Sequence, residues 1–351
     1  MHTVICKIDP ARAKDAAFSE AERDILRAAG EIIRGGGLVA FPTETVYGLG
    51  ASALDAAAAE KIYRAKGRPS DNPLIVHLSS PDEAEKYAYV NDLYRALARR
   101  FMPGPLTLIL PKKACIPDSV TGGLSTVALR VPENKIAAAL IASAGMPVAA
   151  PSANLSGKPS PTRARHVIED MDGRADMIID GGDCAIGLES TVALVEENSV
   201  KILRPGAVTA EMLSRVAPVT MDKTVLQKPE GDLRPLSPGM KYRHYAPAAP
   251  VTMVAGAPEA VLRFFRARLE EDPRTGIIAH GSYKDQIAGK NVFYLPDDRA
   301  GEAHELFDVL RRFDGTDARR IYAVTPQKDG VGLAVYNRLI KAAGFHLVNA
   351  E

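Results

Sequence analysis

The sequence has few of the residues that mark disulfide-rich, metal-caged or membrane-spanning proteins. Its 351 residues include three cysteines and no tryptophan. The cysteines form no C-x-x-C pair, which argues against a thiolate metal cage and fits a reducing compartment. No apolar run approaches about 18 residues, the length that spans a membrane, and the N-terminus lacks the basic start and apolar stretch of a signal peptide. We therefore expect a cytoplasmic protein with no membrane contact and no protein-bound metal.

Charge of one sign is not in excess either, since 44 basic residues face 43 acidic ones. Binding of nucleic acid by bulk charge is therefore disfavoured, and any phosphate site must be built locally. With 46% hydrophobic and 25% charged residues, the chain has the composition of a globular protein with a sizeable core.

Three common catalytic or cofactor motifs are missing. Gly157 and Lys158 lack the upstream glycine of a P-loop, and the glycines at 48 and 50 do not continue into G-x-G-x-x-G. The pair His304 and Glu305 has no second histidine at the spacing of a zinc protease. P-loop, dinucleotide-binding and zinc-protease chemistry are thus disfavoured, and no organic cofactor is expected.

The first two thirds of the chain predict a mixed α/β domain. A capping box at Ser19 and Glu22 opens a helix over about residues 20–34, an apolar strand follows at 38–41, and Asp55 caps a helix to about residue 65. Residues 42–50 are predicted to connect that strand directly to that helix. Because helices fall between only some strands, we expect an open twisted mixed sheet. Its further strands are predicted at 74–78, 106–110, 126–131, 148–150, 177–179, 191–195 and 201–203.

The pattern changes near residue 217. Prolines accumulate up to residue 250, as in an extended linker. From 251 onward, strands and helices alternate as in a small doubly wound, Rossmann-like unit. The predicted domains are therefore 1–216, a linker at 217–250 and 251–351.

Small polar residues follow several predicted strands, where ligands bind in open α/β sheets. Residues 41–50 gather hydroxyls and glycines, and residues 149–157 and 160–162 gather hydroxyls and an amide. Each segment could equally be an ordinary turn. They are candidates for binding phosphate or ribose oxygens.

Basic residues lie at four further places in the sequence. Lys66 and Arg68, read as lying beyond the helix end, could grip a polyphosphate, although a solvated helix end is the alternative. Arg130 and Arg204 lie beside strands, where an arginine can bind a carboxylate or phosphate or form a surface ion pair. Residues 237–247 combine Tyr242, Arg243, His244 and Tyr245 within the linker. That cluster could be a lid over a nucleotide or a linker anchored by its tyrosines.

Taken together, Lys66-Gly67-Arg68 and Ser152-Ala153-Asn154 resemble the paired K-x-R and S-x-N signature of the YrdC-like family, and residues 41–50 match its first loop. The resemblance covers about residues 20–215. The linker and the C-terminal domain look like those of the longer, two-domain threonylcarbamoyl-AMP synthases.

The resemblance implies a nucleotidyltransferase. L-Threonine, bicarbonate and ATP would give threonylcarbamoyl-AMP, pyrophosphate and water, the first step of N6-threonylcarbamoyladenosine formation in tRNA. Mg²⁺ would accompany ATP, and a tRNA threonylcarbamoyl-transferase complex would act downstream. Whether tRNA binds the chain directly stays open.

The resemblance also implies residue roles. Lys66 and Arg68 are expected to be catalytic. Contacts with L-threonine are expected from Thr45, His77, Arg130, Ala150 and Ser190, although His77 alone would be interpreted as a packed core histidine. Contacts with ATP are expected from Lys66, Arg68, Asn72, Thr126, Ser152, Asn154, Ser160, Arg204 and Tyr245.

Two alternatives remain. An RNA-binding translation factor could use the positively charged groove that the family resemblance implies, without catalysis. A carbamoyl-transfer enzyme could also contain such a module, although the chain lacks the zinc-finger cysteines and acylphosphatase-like extension of hydrogenase-maturation proteins.

Overall fold

The computed structural model describes residues 2–14, 16–228, 235–237 and 244–351, with the side chain of residue 14 not described. Two compact units are present. The first comprises Met1–Ser156, Ser160–Val225 and Pro229–Lys241, and the second comprises Gly157–Pro159, Leu226–Lys228 and Tyr242–Glu351. Our boundaries at 216 and 250 stay a prediction. Tyr242 and Arg243 of the expected lid lie outside the described residues.

The first unit is built on a large mixed sheet. Its strands are β1 Val4–Lys7, β2 Val39–Phe41, β3 Gly48–Ser52, β4 Ile75–His77, β5 Leu106–Pro111, β6 Thr126–Arg130, β7 Val148–Ala149, β8 Met177–Asp180, β9 Thr191–Val195, β10 Val200–Arg204 and β11 Val219–Met221. Their order is β1-β8-β2-β3-β7-β4-β6-β5-β9-β10-β11. The prediction of a mixed α/β sheet is confirmed.

Helices pack on this sheet. They are α1 Pro10–Lys14, α2 Glu20–Arg34, α3 Ala56–Lys66, α4 Ala84–Tyr87, α5 Asp92–Phe101, α6 Asp118–Thr121, α7 Lys135–Ala144, α8 Ala164–Met171 and α9 Ala210–Leu213, with short 3-10 turns at Pro81–Glu83 and Lys223–Val225. The capping box of α2 is present, with Ser19 and Glu22 each bonded to the other's backbone N–H. Asp55 caps α3 as predicted.

Two local predictions were wrong. Residues 42–50 are not a direct strand-to-helix connection, because β3 begins at Gly48 and pairs antiparallel with β2. The glycine content of β3 hid it, since Gly and small residues are depleted in strands. Lys66 is the last residue of α3 rather than a residue beyond it.

The second unit is a parallel sheet with helices, as predicted. Its strands are β12 Val251–Ala255, β13 Thr275–His280, β14 Val292–Leu295, β15 Arg320–Val324 and β16 Leu347–Asn349, and its helices are α10 Pro258–Glu271, α11 Arg299–Arg312 and α12 Gly332–Ala342, with 3-10 turns at Gly281–Tyr283 and Phe313–Gly315. The order is β14-β13-β15-β12-β16, with every described pairing parallel. The sequence analysis missed β14 and β16.

The faces of the large sheet are covered unequally. On one face, a large core includes Val76, Leu129 and Leu108. On the other face, α2 and α7 bury Val39, Phe41 and Val148. Further along that second face lies a separate small apolar cluster, which consists of Ile75, Ile109, Ala128, Val192 and Leu203. We call this cluster the apolar floor.

Candidate active site at the edge and floor of the large sheet

Strand directions bring several predicted residues to one edge of the sheet. β4 and β6 are parallel, β5 and β9 run opposite to them, and β10 is antiparallel to β9. The carboxyl ends of β4, β6 and β10 therefore meet the amino end of β9. This edge carries His77, Arg130, Ser190 and Arg204.

Side-chain alternation places the apolar floor beside these polar groups. Ile75 and His77 share one face of β4, and Thr126, Ala128 and Arg130 share one face of β6, because side chains repeat every second residue in a strand. Thr126 and Arg130 are about 13 Å apart along β6 at about 3.3 Å per residue. The floor thus lies between two polar ends of this face, and we call this stretch of the face the groove.

Arg130 and Glu44 form the charged centre of the first end, and His77 lies beside Arg130 on the neighbouring strand. Arg130 Nη2 donates to Glu44 Oε1 at 2.7 Å, and both side chains are buried. Arg130 Nε lies 3.4 Å from the carbonyl of Gly104. Burial and then the neighbouring Arg130 guanidinium lower the pKa of His77 to about 3, so this imidazole is neutral near pH 7.

The Thr45 hydroxyl is oriented by its neighbour. Thr43 Oγ1 donates to the carbonyl of Val46 at 2.6 Å and lies 2.9 Å from Thr45 Oγ1. Each hydroxyl has one proton, so the proton between the two threonines belongs to Thr45. The lone pairs of Thr45 Oγ1 are then left to accept a donor such as an amine or hydroxyl.

Ser190 connects the two predicted ligand sets. Its hydroxyl lies 2.7 Å from Thr107 Oγ1. Arg204 donates to the Ser190 carbonyl at 3.1 Å and to Ser190 Oγ at 3.2 Å. A residue predicted to contact ATP therefore bonds directly to one predicted to contact threonine.

The two signature motifs meet at the other end of the groove. The buried Lys66 ammonium donates to the carbonyl oxygens of Ser152 and Asn154, and it lies 3.5 Å from Asn154 Oδ1. Ser152 Oγ donates to Asn154 Oδ1 at 2.5 Å, and Ser156 N donates to the Lys66 carbonyl at 2.9 Å. An ammonium has three donors, so the S-x-N loop offers one acceptor for each.

Arg68, Asn72 and Thr126 lie near this end. Arg68 is half-buried and donates to the carbonyls of Asn72 and Pro73 at 3.3 and 3.1 Å. Asn72 is buried, and its Oδ1 atom has no hydrogen-bond partner in the described structure. Buried polar atoms are nearly always bonded, so this amide is suited to a ligand. Thr126 pairs with Pro111 at the start of β6.

Ser160 and Ala150 complete the first unit's set. Ser160 is buried, and its hydroxyl donates to Glu189 Oε1 at 2.5 Å. Ala150 N donates to the carbonyl of Ile75 at 2.8 Å, so the Ala150 backbone lies at the rim of the floor.

Tyr245 belongs to the second unit. It has a positive φ of 65°, an unusual conformation for a residue with a side chain. Its ring lies 5.2 Å from Phe307 and 5.5 Å from His244, and the Arg338 guanidinium is 5.9 Å from its centroid. This aromatic and cationic packing holds a backbone conformation that costs free energy.

The sequence analysis missed several groups at the site. Glu44 and Glu189 are buried acids bonded to Arg130 and Ser160, and Thr107 is bonded to Ser190. Glu44 and Arg130 are 86 residues apart in the chain, so their pairing leaves no local pattern. Glu189 directly precedes Ser190 in the chain, but only Ser190 was predicted from the sequence to contact a ligand.

Two family models and several known proteins match this chain. The family model Sua5_yciO_yrdC, described as telomere recombination, matches residues 31–206. A second model, the C-terminal domain of threonylcarbamoyl-AMP synthase, matches residues 208–344. A threonylcarbamoyl-AMP synthase of Pyrococcus abyssi is 46% identical over 92% of this chain and 95% of its own length. The chain belongs to the threonylcarbamoyl-AMP synthase family.

Other members of this family agree over similar lengths. The Bacillus subtilis threonylcarbamoyl-AMP synthase is 44% identical over 91% of this chain and 93% of its own. A crystal structure of P. abyssi Sua5 complexed with L-threonine has a TM-score of 0.90 and 42% identity, with all of both chains covered. The predicted membership of the two-domain form is confirmed.

Neither a carboxylate metal cage nor a membrane helix is found in the part of the chain that the structure describes. Within it, no three His, Cys, Asp or Glu side chains are grouped to hold an ion. No described helix is both long and apolar enough to cross a membrane.

Proposed function

We propose that this chain joins L-threonine, bicarbonate and ATP into threonylcarbamoyl-AMP, with release of pyrophosphate and water. The observation that carries the proposal is the bond between Arg204 and Ser190, which links the residues expected to bind ATP to those expected to bind threonine. The family membership of the whole chain supports the same reaction.

The chemistry has two stages. The neutral amine of threonine attacks the carbon of bicarbonate, and loss of water leaves a carbamate. A carbamate oxygen then attacks the α-phosphorus of ATP, the bond to the bridging oxygen breaks, and pyrophosphate leaves. Little covalent work falls to the protein, which must align the two anions and stabilise the departing charge.

The threonine end of the groove is proposed to use Thr45, His77, Arg130, Ala150 and Ser190. Arg130 would bind the carboxylate through its fork of N–H groups. Thr45 would accept from the amine or the hydroxyl, as its oriented proton requires. Neutral His77 adds no second positive charge beside Arg130.

The residues proposed to contact ATP are Lys66, Arg68, Asn72, Thr126, Ser152, Asn154, Ser160, Arg204 and Tyr245. Magnesium would enter as the MgATP substrate, carried by phosphate oxygens and water.

Downstream, the adenylate is an activated acyl donor that water hydrolyses. We propose that a tRNA threonylcarbamoyl-transferase complex consumes it in the cytoplasm. The alternative of an RNA-binding factor predicts no chemistry at all.

The test is a pyrophosphate assay with ATP, bicarbonate and a panel of amino acids. We expect release that requires both threonine and bicarbonate. Arg68→Ala should reduce turnover at least about a hundredfold, as for the loss of a group that stabilises transition-state charge. The matched control is Arg64→Ala, an exposed arginine in the last turn of α3. Release without threonine, or equal activity in both variants, would contradict the proposal.

A further inference from the structure

Glu44 is a buried acid beside the threonine end of the groove. It was not among the site residues predicted from the sequence. Its side chain is 7% exposed, and that of its partner Arg130 is 5% exposed. A buried ion pair adds little net stability compared with apolar residues of the same size. Stability alone therefore does not explain why Glu44 and Arg130 are paired here, and we consider a functional role for the pair.

The Glu44 carboxylate is ionised. Burial alone would raise its pKa, but the Arg130 guanidinium and backbone N–H groups outweigh burial and hold the pKa of Glu44 below its usual range. The charges of Arg130 and Glu44 thus compensate each other. With His77 also neutral, the threonine end holds no uncompensated charge from these three residues.

Two contacts orient the Arg130 guanidinium. Nη2 is bonded to Glu44, and Nε faces the carbonyl of Gly104. No described residue accepts a bond from Nη1. The edge formed by Nη1 and the second Nη2 proton is therefore presented as a two-donor fork, the geometry that binds a carboxylate.

Glu44 also connects the segments around this fork. Its backbone carbonyl accepts a bond from Ile186 N at 2.8 Å, on the loop that leads to Ser190. Its Oε2 atom lies 3.4 Å from Asn134 N, at the cap of α7. Thr45 is its direct neighbour in the chain.

We propose that Glu44 is a positioning residue that fixes the Arg130 fork for the carboxylate of the amino-acid substrate. This inference rests on the proposed function, because it assumes that Arg130 binds threonine. Glu44 itself does not touch the substrate; it acts through Arg130.

The test compares Glu44→Gln with the natural protein and with Glu133→Gln. Glu133 is an exposed acid close in sequence to Arg130, so its change alters local charge without touching the fork. In Glu44→Gln we expect KM for threonine to rise about tenfold or more, the order expected when a charged hydrogen-bond partner is removed. KM for ATP should stay unchanged, and Glu133→Gln should match the natural protein.

A second readout separates positioning from general damage. Threonine amide lacks the carboxylate charge, so it does not need the fork. We expect the preference for threonine over its amide to fall in Glu44→Gln. Equal weakening of both ligands, or a threonine KM within about twofold of the natural value, would overturn the proposal.

Measuring threonine binding directly makes the test independent of turnover. Calorimetry of threonine with Glu44→Gln reports on the fork even if the natural protein makes no pyrophosphate. If that variant does not fold, Glu44→Asp keeps the charge but shortens the reach by one methylene. It should weaken threonine binding while retaining ATP binding, and unchanged threonine binding in Glu44→Asp would overturn the proposal.

Discussion

At the scale of single residues, Lys66 differs from a solvent-exposed phosphate-binding lysine because its ammonium is buried against backbone carbonyls. Its donors face Ser152 and Asn154. The K-x-R and S-x-N motifs are thus joined physically as well as by family resemblance. The sequence located both motifs, but it could not show that one lysine holds the other loop.

This arrangement predicts the effect of Lys66→Met. The change removes the ammonium that donates to the carbonyls of Ser152 and Asn154. Loss of such a buried charged donor costs about 1–3 kcal/mol in the free energy of unfolding. ATP binding should weaken as well, because the loop loses its anchor. The matched control is Lys61→Met, at a lysine on the same helix as Lys66 that donates instead to the Gly36 carbonyl. Calorimetric titration measures the ATP affinity of each variant, and thermal unfolding measures its stability. Equal ATP affinity in Lys66→Met and Lys61→Met would contradict the role of Lys66 as the anchor of the loop.

His77 makes a prediction about pH. Its pKa is lowered from 6.5 to about 3, so the unfolded chain takes up a proton below pH 6.5 while the folded protein does not. Stability should therefore fall as the pH drops from 6.5 towards 3. His77→Asn should show a shallower fall in Tm over this range, and His2→Asn, at an exposed histidine, should follow the natural protein. A Tm profile for His77→Asn parallel to that of the natural protein would contradict the buried neutral state.

At the scale of elements, strands with a continuous apolar pattern were predicted correctly, whereas a strand that contains glycines was missed. The strand predicted at 191–195 is observed as β9 Thr191–Val195. β3 was missed because Gly48 and Gly50 carry no side chains to signal a strand. At Gly50 the glycine is needed, since a Cβ there would lie 2.7 Å from the Phe41 ring. Burial and tertiary pairing override propensity there. The groove itself depends on strand directions, which apolar patterns do not encode.

The packing of α2 against α7 gives a matched pair of glycine changes. A Cβ at Gly30 would lie 2.7 Å from the backbone carbon of Ser143, whereas one at Gly35 would meet its nearest atom at 3.4 Å. Overpacking costs about 1–3 kcal/mol. Gly30→Ala should therefore lower Tm by several degrees, and Gly35→Ala should leave it nearly unchanged. Equal Tm values for the two variants would show that the helices can separate without cost.

At the scale of the whole molecule, the second unit includes a short piece of chain from the middle of the sequence. Gly157–Pro159 groups with Tyr242–Glu351. The buried Arg311 on α11 donates through Nε and Nη2 to the Pro159 carbonyl at 3.0 and 2.7 Å. Ala246 N donates to the Gly157 carbonyl at 3.0 Å. The sequence predicted two domains, but it did not indicate that Gly157–Pro159 would group with the second one.

Because Pro159 directly precedes Ser160, Arg311→Ala should disturb a proposed ATP contact through the chain. We expect KM for ATP to rise about fivefold to tenfold, with KM for threonine nearly constant, from the loss of two hydrogen bonds. Arg312→Ala is the control, since this exposed neighbour packs on Phe293 instead. Steady-state kinetics with each substrate varied in turn measure both KM values. An unchanged KM for ATP in Arg311→Ala would contradict the proposed influence of Arg311 on Ser160.

The central claim concerns the product that the molecule makes. Incubation with ATP, threonine and ¹³C-labelled bicarbonate, followed at once by mass spectrometry, tests it most directly. We predict a nucleotide with the mass of threonylcarbamoyl-AMP that carries the label and disappears when threonine is omitted. AMP or ADP without a labelled threonine adduct, at a rate equal to that without bicarbonate, would contradict the account.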